Sequence, residues 1–213
     1  FQFTAFGFRI AGESLLHTTV RIAGESLLHM KLKSWHRPLH IYKDDSIYFI
    51  TVRTIDKIKY FNTDKKKDIF SDVIHTACEK FCKDLTAWTI LDNHYHILVE
   101  VDEGKNIPKL VNNINANSSR ILNISENCRG RQVWHQYFDR CIRDEKDYWT
   151  RFNYIHHNCV KHGYAKSMED YKYSSYNQWI NDKGVEWMRD VFTTYPIVDF
   201  SVEGLDSRRK PAG

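Results

Sequence analysis

Residues 92–101, Asp-Asn-His-Tyr-His-Ile-Leu-Val-Glu-Val, constrain the fold more than any other stretch of this chain. Strict alternation from His94 to Val101 requires a β-strand, because side-chain direction reverses at every strand residue. His94, His96, Leu98 and Glu100 then share one face. Tyr95, Ile97, Val99 and Val101 share the other, which is apolar enough to lie on a core. The preceding Thr86-Ala87-Trp88-Thr89-Ile90-Leu91 is β-branched and aromatic, and Asp92-Asn93 is turn chemistry, so the two runs form a hairpin. Two imidazoles one residue apart on a strand face can grip one ion together. In a chain with eleven histidines they also fit an ordinary polar strand face.

The hairpin needs partners, and the flanking segments supply them. Ser46 to Thr54 reads as a first strand, mostly apolar on both faces and therefore central. A linker with Asp56, Lys57 and Lys59 follows. Asp64 is placed to cap a helix whose Phe70, Val73, Ile74, Ala77, Cys78 and Phe81 keep helical spacing. The run Lys65-Lys66-Lys67 in its first turn opposes the helix dipole, which suits either a functional use or a solvated charge run. After the hairpin, Asn106 and Pro108 open a second helix with a stripe of Ile107, Leu110, Val111, Ile114, Ile121 and Leu122. Residues 133–143 read as a further strand in which Trp134, Tyr137 and Phe138 interleave with Arg140 and Arg143. That pattern suits single-stranded nucleic acid, or equally a sheet edge with snorkelling arginines.

With 213 residues, 42% hydrophobic and 14% aromatic, the chain can bury one good core and is globular rather than disordered. A formal net charge of +4 permits a nucleic-acid partner without demanding one. Five cysteines without a regular framework, and no apolar run of membrane-spanning length, fit a reducing cytoplasm and no membrane partner. Cys78 and Cys82 lie four apart on a helix without a second ligand pair at zinc spacing, so they read as buried small hydrophobes. Residues 9–17 and 21–29 are the same nine residues repeated at a period of twelve. Two copies are too few for a solenoid. Residues 1–34 are therefore expected to be an appended segment, whether a cloning scar, read-through or a recent duplication, ahead of a domain at 35–180 and an extension at 181–213.

The third helix brings the chemistry together. Asp144 with Asp147 gives a capping-box-like start, and Lys161, His162 and Gly163 give a finish, so the helix spans about 145–162. Tyr148, Phe152, Ile155 and Cys159 form its apolar face. Asp147, Arg151, Tyr154 and Asn158 have the same spacings one residue earlier and form a parallel polar stripe. Tyr154 is thus one turn from Asn158. It can be a nucleophile beside a metal-ligating amide, or an amphipathic surface tyrosine.

In order along the chain, Leu91-Asp92-Asn93-His94-Tyr95-His96-Ile97-Leu98, then Val133-Trp134-His135-Gln136 leading to Cys141-Ile142-Arg143, then Asn153-Tyr154-Ile155-His156-His157-Asn158-Cys159-Val160-Lys161-His162-Gly163, resemble the single-tyrosine HUH transposases, specifically the REP-associated tyrosine transposases. Tyr173-Ser174-Ser175-Tyr176 resembles a short segment after the tyrosine helix in that subgroup, and the resemblance spans about 35–179. One departure is Cys159, where the family usually has proline, from which altered local geometry around an intact site is expected.

The resemblance implies a ferredoxin-like α+β domain with an antiparallel sheet carrying the histidine pair and a helix presenting the tyrosine. The order strand, helix, hairpin, helix, strand, helix read from the residues agrees with it. It further implies metal-dependent cleavage and rejoining of single-stranded DNA at hairpin-bearing sequences through a 5′-phosphotyrosine on Tyr154. His94 and His96 would hold a divalent ion, Mg²⁺ or Mn²⁺, with Asn158 as third ligand and His157 as runner-up. Phosphate contacts are expected from Arg140, Arg143, Arg151 and Lys161 around the site. The protein would act as a monomer or homodimer. Two rivals remain at this point: a hydrolytic nuclease using water on the same histidines, and a non-catalytic hairpin-binding protein.

Overall fold

The computed structural model describes residues 42–200. The nine-residue duplication lies outside the described residues. Strand β1, Ser46–Thr54, is buried on both faces, as its sequence requires, and occupies the middle of the sheet. It pairs antiparallel with β3, His94–Val101, on one side and with β4, Trp134–Cys141, on the other, while β2, Asp84–Ile90, closes the hairpin with β3. The sheet order is β2-β3-β1-β4. With helices α1, Asp64–Phe81, and α2, Asn106–Ser125, inserted after β1 and β3, this is the ferredoxin-like arrangement. α3, Glu145–Lys161, follows β4.

The pleat separates two cores. Tyr48, Ile50 and Val52 of β1 point to the same side as Tyr95, Ile97, Val99 and Val101 of β3, and meet Phe70 and Ile74 of α1 and Leu110, Val111 and Ile114 of α2. Phe49 and Leu98 point to the opposite side, where Phe152 and Ile155 of α3 cover them. Full burial of each such side chain stabilises the fold by roughly 1.5–3 kcal/mol. The histidine pair therefore faces away from the α1/α2 core, as alternation demands, but α3 roofs that face.

Several boundaries differ from those expected. Thr63, not Asp64, caps α1, its Oγ1 accepting the Lys66 N–H, because the residue before the first helical one is free to be extended. The expected cap of α3 holds: Asp144 Oδ1 accepts the Asp147 N–H at 2.8 Å. α3 runs unbroken past Cys159, whose side chain is fully buried. The boundary expected at 180 falls inside α4, Tyr176–Lys183, and a further helix, α5, Val185–Thr194, packs on α3. Gly184, at φ 89°, makes the sharp turn between them. Asn153 of α3 donates to the carbonyls of Val191 and Tyr195, and Trp179 stacks on Trp187 at 5.5 Å, so residues past 180 complete the second core.

Two of the three lysines in the run that opens α1 are taken up by ion pairs. Lys66 Nζ lies 2.6 Å from Glu126, and the buried Lys67 Nζ lies 2.7 Å from Asp92, in the turn that leads into His94. Lys67→Met leaves the largely buried Asp92 carboxylate without its cation, and is expected to cost about 3–5 kcal/mol of unfolding free energy in urea. Adding Asp92→Asn recovers most of it. A loss below about 1 kcal/mol for the single variant would show that the pair does not fix this turn.

Candidate active site

The β1–β3 register sets Thr51 opposite His96 and Arg53 opposite His94, so four side chains of adjacent strands leave the sheet on the face that α3 covers. Here a cleft of about 340 Å³ opens, lined by these four residues with Phe49, Lys57, Lys59, Asn93, Phe138, Arg151, Tyr154, His162, Tyr164 and Phe200. The rings of His94 and His96 are 5.1 Å apart, and that of Tyr154 is 5.3 Å from His96. Asn158, one turn beyond Tyr154, reaches the same place, with its Oδ1 3.0 Å from His94 Nε2. His94, His96, Tyr154 and Asn158 are thus brought together by one strand and one helix face.

Hydrogen bonds fix the imidazoles. Asn93 Nδ2 donates to the Lys57 carbonyl at 3.0 Å, which directs its Oδ1 to His94 Nδ1 at 2.7 Å. An amide oxygen only accepts, so His94 carries its proton on Nδ1 and turns the Nε2 lone pair towards Asn158. His96 Nδ1 meets Thr51 Oγ1 at 2.6 Å, and its Nε2 is buried without a hydrogen-bond partner. Burial pushes the pKa of His94 down to about 4 and that of His96 well below the usual histidine value. Both are neutral at pH 7, the state in which imidazole binds metals.

These residues fit a divalent ion. Two ligands at right angles with bonds of roughly 2.1 Å stand about 3 Å apart, the separation of His94 Nε2 and Asn158 Oδ1. Turned over, the same amide would donate Nδ2–H to Nε2, so Asn158 can serve the site with or without an ion. Among the described residues no three His, Cys, Asp or Glu side chains come together to hold a metal; the protein oxygen at hand beside His94 is the Asn158 amide. Asn158 is joined to the site by its contact with His94 rather than by the cleft lining, from which both it and His157, the runner-up, are absent.

The expected phosphate contacts divide. Lys161 Nζ lies 5.2 Å from the Tyr154 ring and 2.6 Å from Asp199. Arg151 is only 1% exposed, its Nε 2.9 Å from Asp147 and its guanidinium 3.9 Å over the Phe200 ring. It belongs to the floor of the cleft rather than to a solvent-facing patch, because α3 is covered on both sides. Arg140 pairs with Asp147 at 3.3 Å, and Arg143 sits on the exposed loop before α3. Neither lines the cleft. Sequence reasoning missed Thr51, Arg53 and Asn93, whose roles depend on cross-strand register. It also passed over His162 (read only as a helix stop), whose ring is 4.9 Å from His94 at the spacing of Tyr154 and Asn158 continued by one turn.

Comparison with known proteins places the fold and the sequence in a lineage. A REP-associated tyrosine transposase bound to a REP hairpin shares the fold with a TM-score of 0.57, at 19% identity over 81% of this chain and 96% of that one. A Haemophilus influenzae protein named among the REP-associated tyrosine transposases is 28% identical over 149 residues, 62% of this chain and 80% of its own length. A REP-associated tyrosine transposase of Escherichia coli is 28% identical over 116 residues, 51% of this chain and 64% of its own. No described helix is long and apolar enough to cross a membrane. The model of the family described as transposase IS200 like matches residues 43–158, more than half of the chain and all four site residues, and the protein therefore belongs to the IS200-like transposases, a family of enzymes.

Proposed function

We propose that this transposase cuts and rejoins single-stranded DNA beside a hairpin, with Tyr154 as the nucleophile and His94, His96 and Asn158 as the ligands of a divalent ion. The observation that carries the reading is the Tyr154 ring 5.3 Å from His96 in one cleft with two neutral imidazoles. Tyr154 Oη attacks the phosphorus, the bond from phosphorus to the 3′ oxygen breaks, and the 3′-hydroxyl departs with a proton. The 5′-phosphate stays on the tyrosine as an ester, so a 3′-hydroxyl of the same or another strand can reverse the step. Lys161 stands beside the nucleophile, its Nζ 5.2 Å from the Tyr154 ring. When bound, a divalent ion polarises the scissile phosphate as a Lewis acid. Imidazole ligands suit Mn²⁺ better than Mg²⁺. The hairpin as substrate is supported by the relatives' REP names and by the hairpin in the solved relative.

A denaturing gel tests this with Mn²⁺ and a hairpin-bearing single strand labelled at either end. A 3′-labelled strand should become attached to protein while the 5′-labelled fragment is released with a free 3′-hydroxyl. Cleavage without attachment would make the protein a hydrolytic nuclease, and binding without cleavage a hairpin-binding protein.

A further inference from the structure

The cleft has a basic wall that the chemistry above leaves unused. Arg53 leaves β1 on the face of His94, and Lys57 and Lys59 project from the exposed turn that follows. Asp56 and Lys57 hold φ values of 50° and 58°, the left-handed region that side chains with a Cβ enter at a cost. Hydrogen bonds keep the turn in this shape. Thr54 Oγ1 donates to the Ile58 carbonyl at 2.7 Å, and the Phe61 N–H donates to the Asp92 carbonyl at 2.9 Å. Asn93 joins the turn to the site, donating to the Lys57 carbonyl while its Oδ1 accepts from His94 Nδ1. Two hydrogen bonds therefore set the position of Lys57 relative to the imidazole. The aromatic rings of Phe138 and Tyr164 line the same cleft. Cations on an ordered turn, with aromatic faces beside them, match a single strand, which offers phosphates and unstacked bases together.

We infer that Arg53, Lys57 and Lys59 form a phosphate cradle for the single-stranded nucleotides flanking the scissile bond, and that Asn93 holds this cradle in register with His94. The inference rests on the single-strand reading proposed above. It is tested by fluorescence anisotropy with a hairpin carrying single-stranded flanks and with the bare hairpin, across about 50 to 200 mM salt. The proteins compared are the wild type, Lys57→Gln/Lys59→Gln, Lys57→Arg/Lys59→Arg, and Lys109→Gln on α2, which covers the opposite face of the sheet.

On the flanked hairpin the glutamine double variant should lose about 1.4 from the log–log salt slope, about 0.7 for each contact to a single strand. The wild type's advantage then grows roughly sevenfold from 200 to 50 mM salt. The arginine double variant and Lys109→Gln should keep the wild-type slope, and the bare hairpin should bind all four proteins alike. An unchanged slope in the glutamine variant, or an equal loss on the bare hairpin, overturns the cradle while leaving the proposed function standing. Failure of the wild type to bind the flanked hairpin at all overturns both.

Discussion

Tyr154→Phe is expected to yield a folded protein that binds hairpin-bearing single-stranded DNA and forms no covalent complex with it. The ring is 5% exposed and packs edge-on against Phe49, His96 and Phe200, contacts that phenylalanine keeps. Only the hydroxyl is lost, so adduct formation should fall by roughly 10³-fold or more while thermal unfolding barely moves. The other tyrosines are poorly placed. Tyr95 lies across the sheet, its hydroxyl donating to Asn115, and Tyr148 packs against Trp149 near the start of α3. Tyr164 does line the cleft, but burial and the nearby Asp92 push its hydroxyl pKa up, which makes it harder to ionise. Mapping the DNA-linked peptide of the wild type decides between them. A peptide containing Tyr164 would displace Tyr154 from the role.

The second large effect concerns the imidazole pair. His96→Ala should lower Mn²⁺ affinity by at least about 100-fold, since loss of a partner that merely orients a ligand already costs about 10–100-fold. Thr51→Val and Asn93→Ala, which remove the groups orienting His96 and His94, should fall in that smaller range. The measurement is Mn²⁺ titration followed by electron paramagnetic resonance or calorimetry, without DNA. Its pH dependence has a definite sign. Ordinary histidines begin to exchange metal for protons near pH 6.5. Here burial holds His94 down to about 4 and His96 well below its usual value, so affinity should stay level from about pH 8 to pH 5 and fall only below that. A decline starting near pH 6.5 would mean that water reaches these rings.

Much of this could be read from residue order because the signals were periodic and local. The alternation of His94 to Val101 set the hairpin face, the double-sided apolarity of β1 placed it centrally, and Asp144 with Asp147 marked the start of α3. What escaped depends on contacts distant in sequence. α4 and α5 are short helices on either side of Gly184, and their apolar residues have meaning only against α3 and against each other, as in the Trp179–Trp187 stack. The same omission misplaced Arg151. A stripe with Arg151 and Asp147 four residues apart looks solvated on an isolated helix, but a helix held between a sheet and two further helices hides every side. The hydrogen bonds by which Thr51 and Asn93 hold the two imidazoles arise from strand pairing and from a loop carbonyl, neither of which a linear pattern encodes.

That enclosure of α3 has a mechanical consequence. Thr150 to His156 are all buried, so the helix carrying Tyr154 cannot swing away without dismantling the second core. In this structure Tyr154 faces the imidazoles of its own chain from a rigid mount. With Tyr154 as the proposed nucleophile, such a mount would keep the anchored 5′ end stationary during rejoining and leave the travelling to the freed 3′ end. Which strand is joined would then be settled by which DNA end can swing into the cleft.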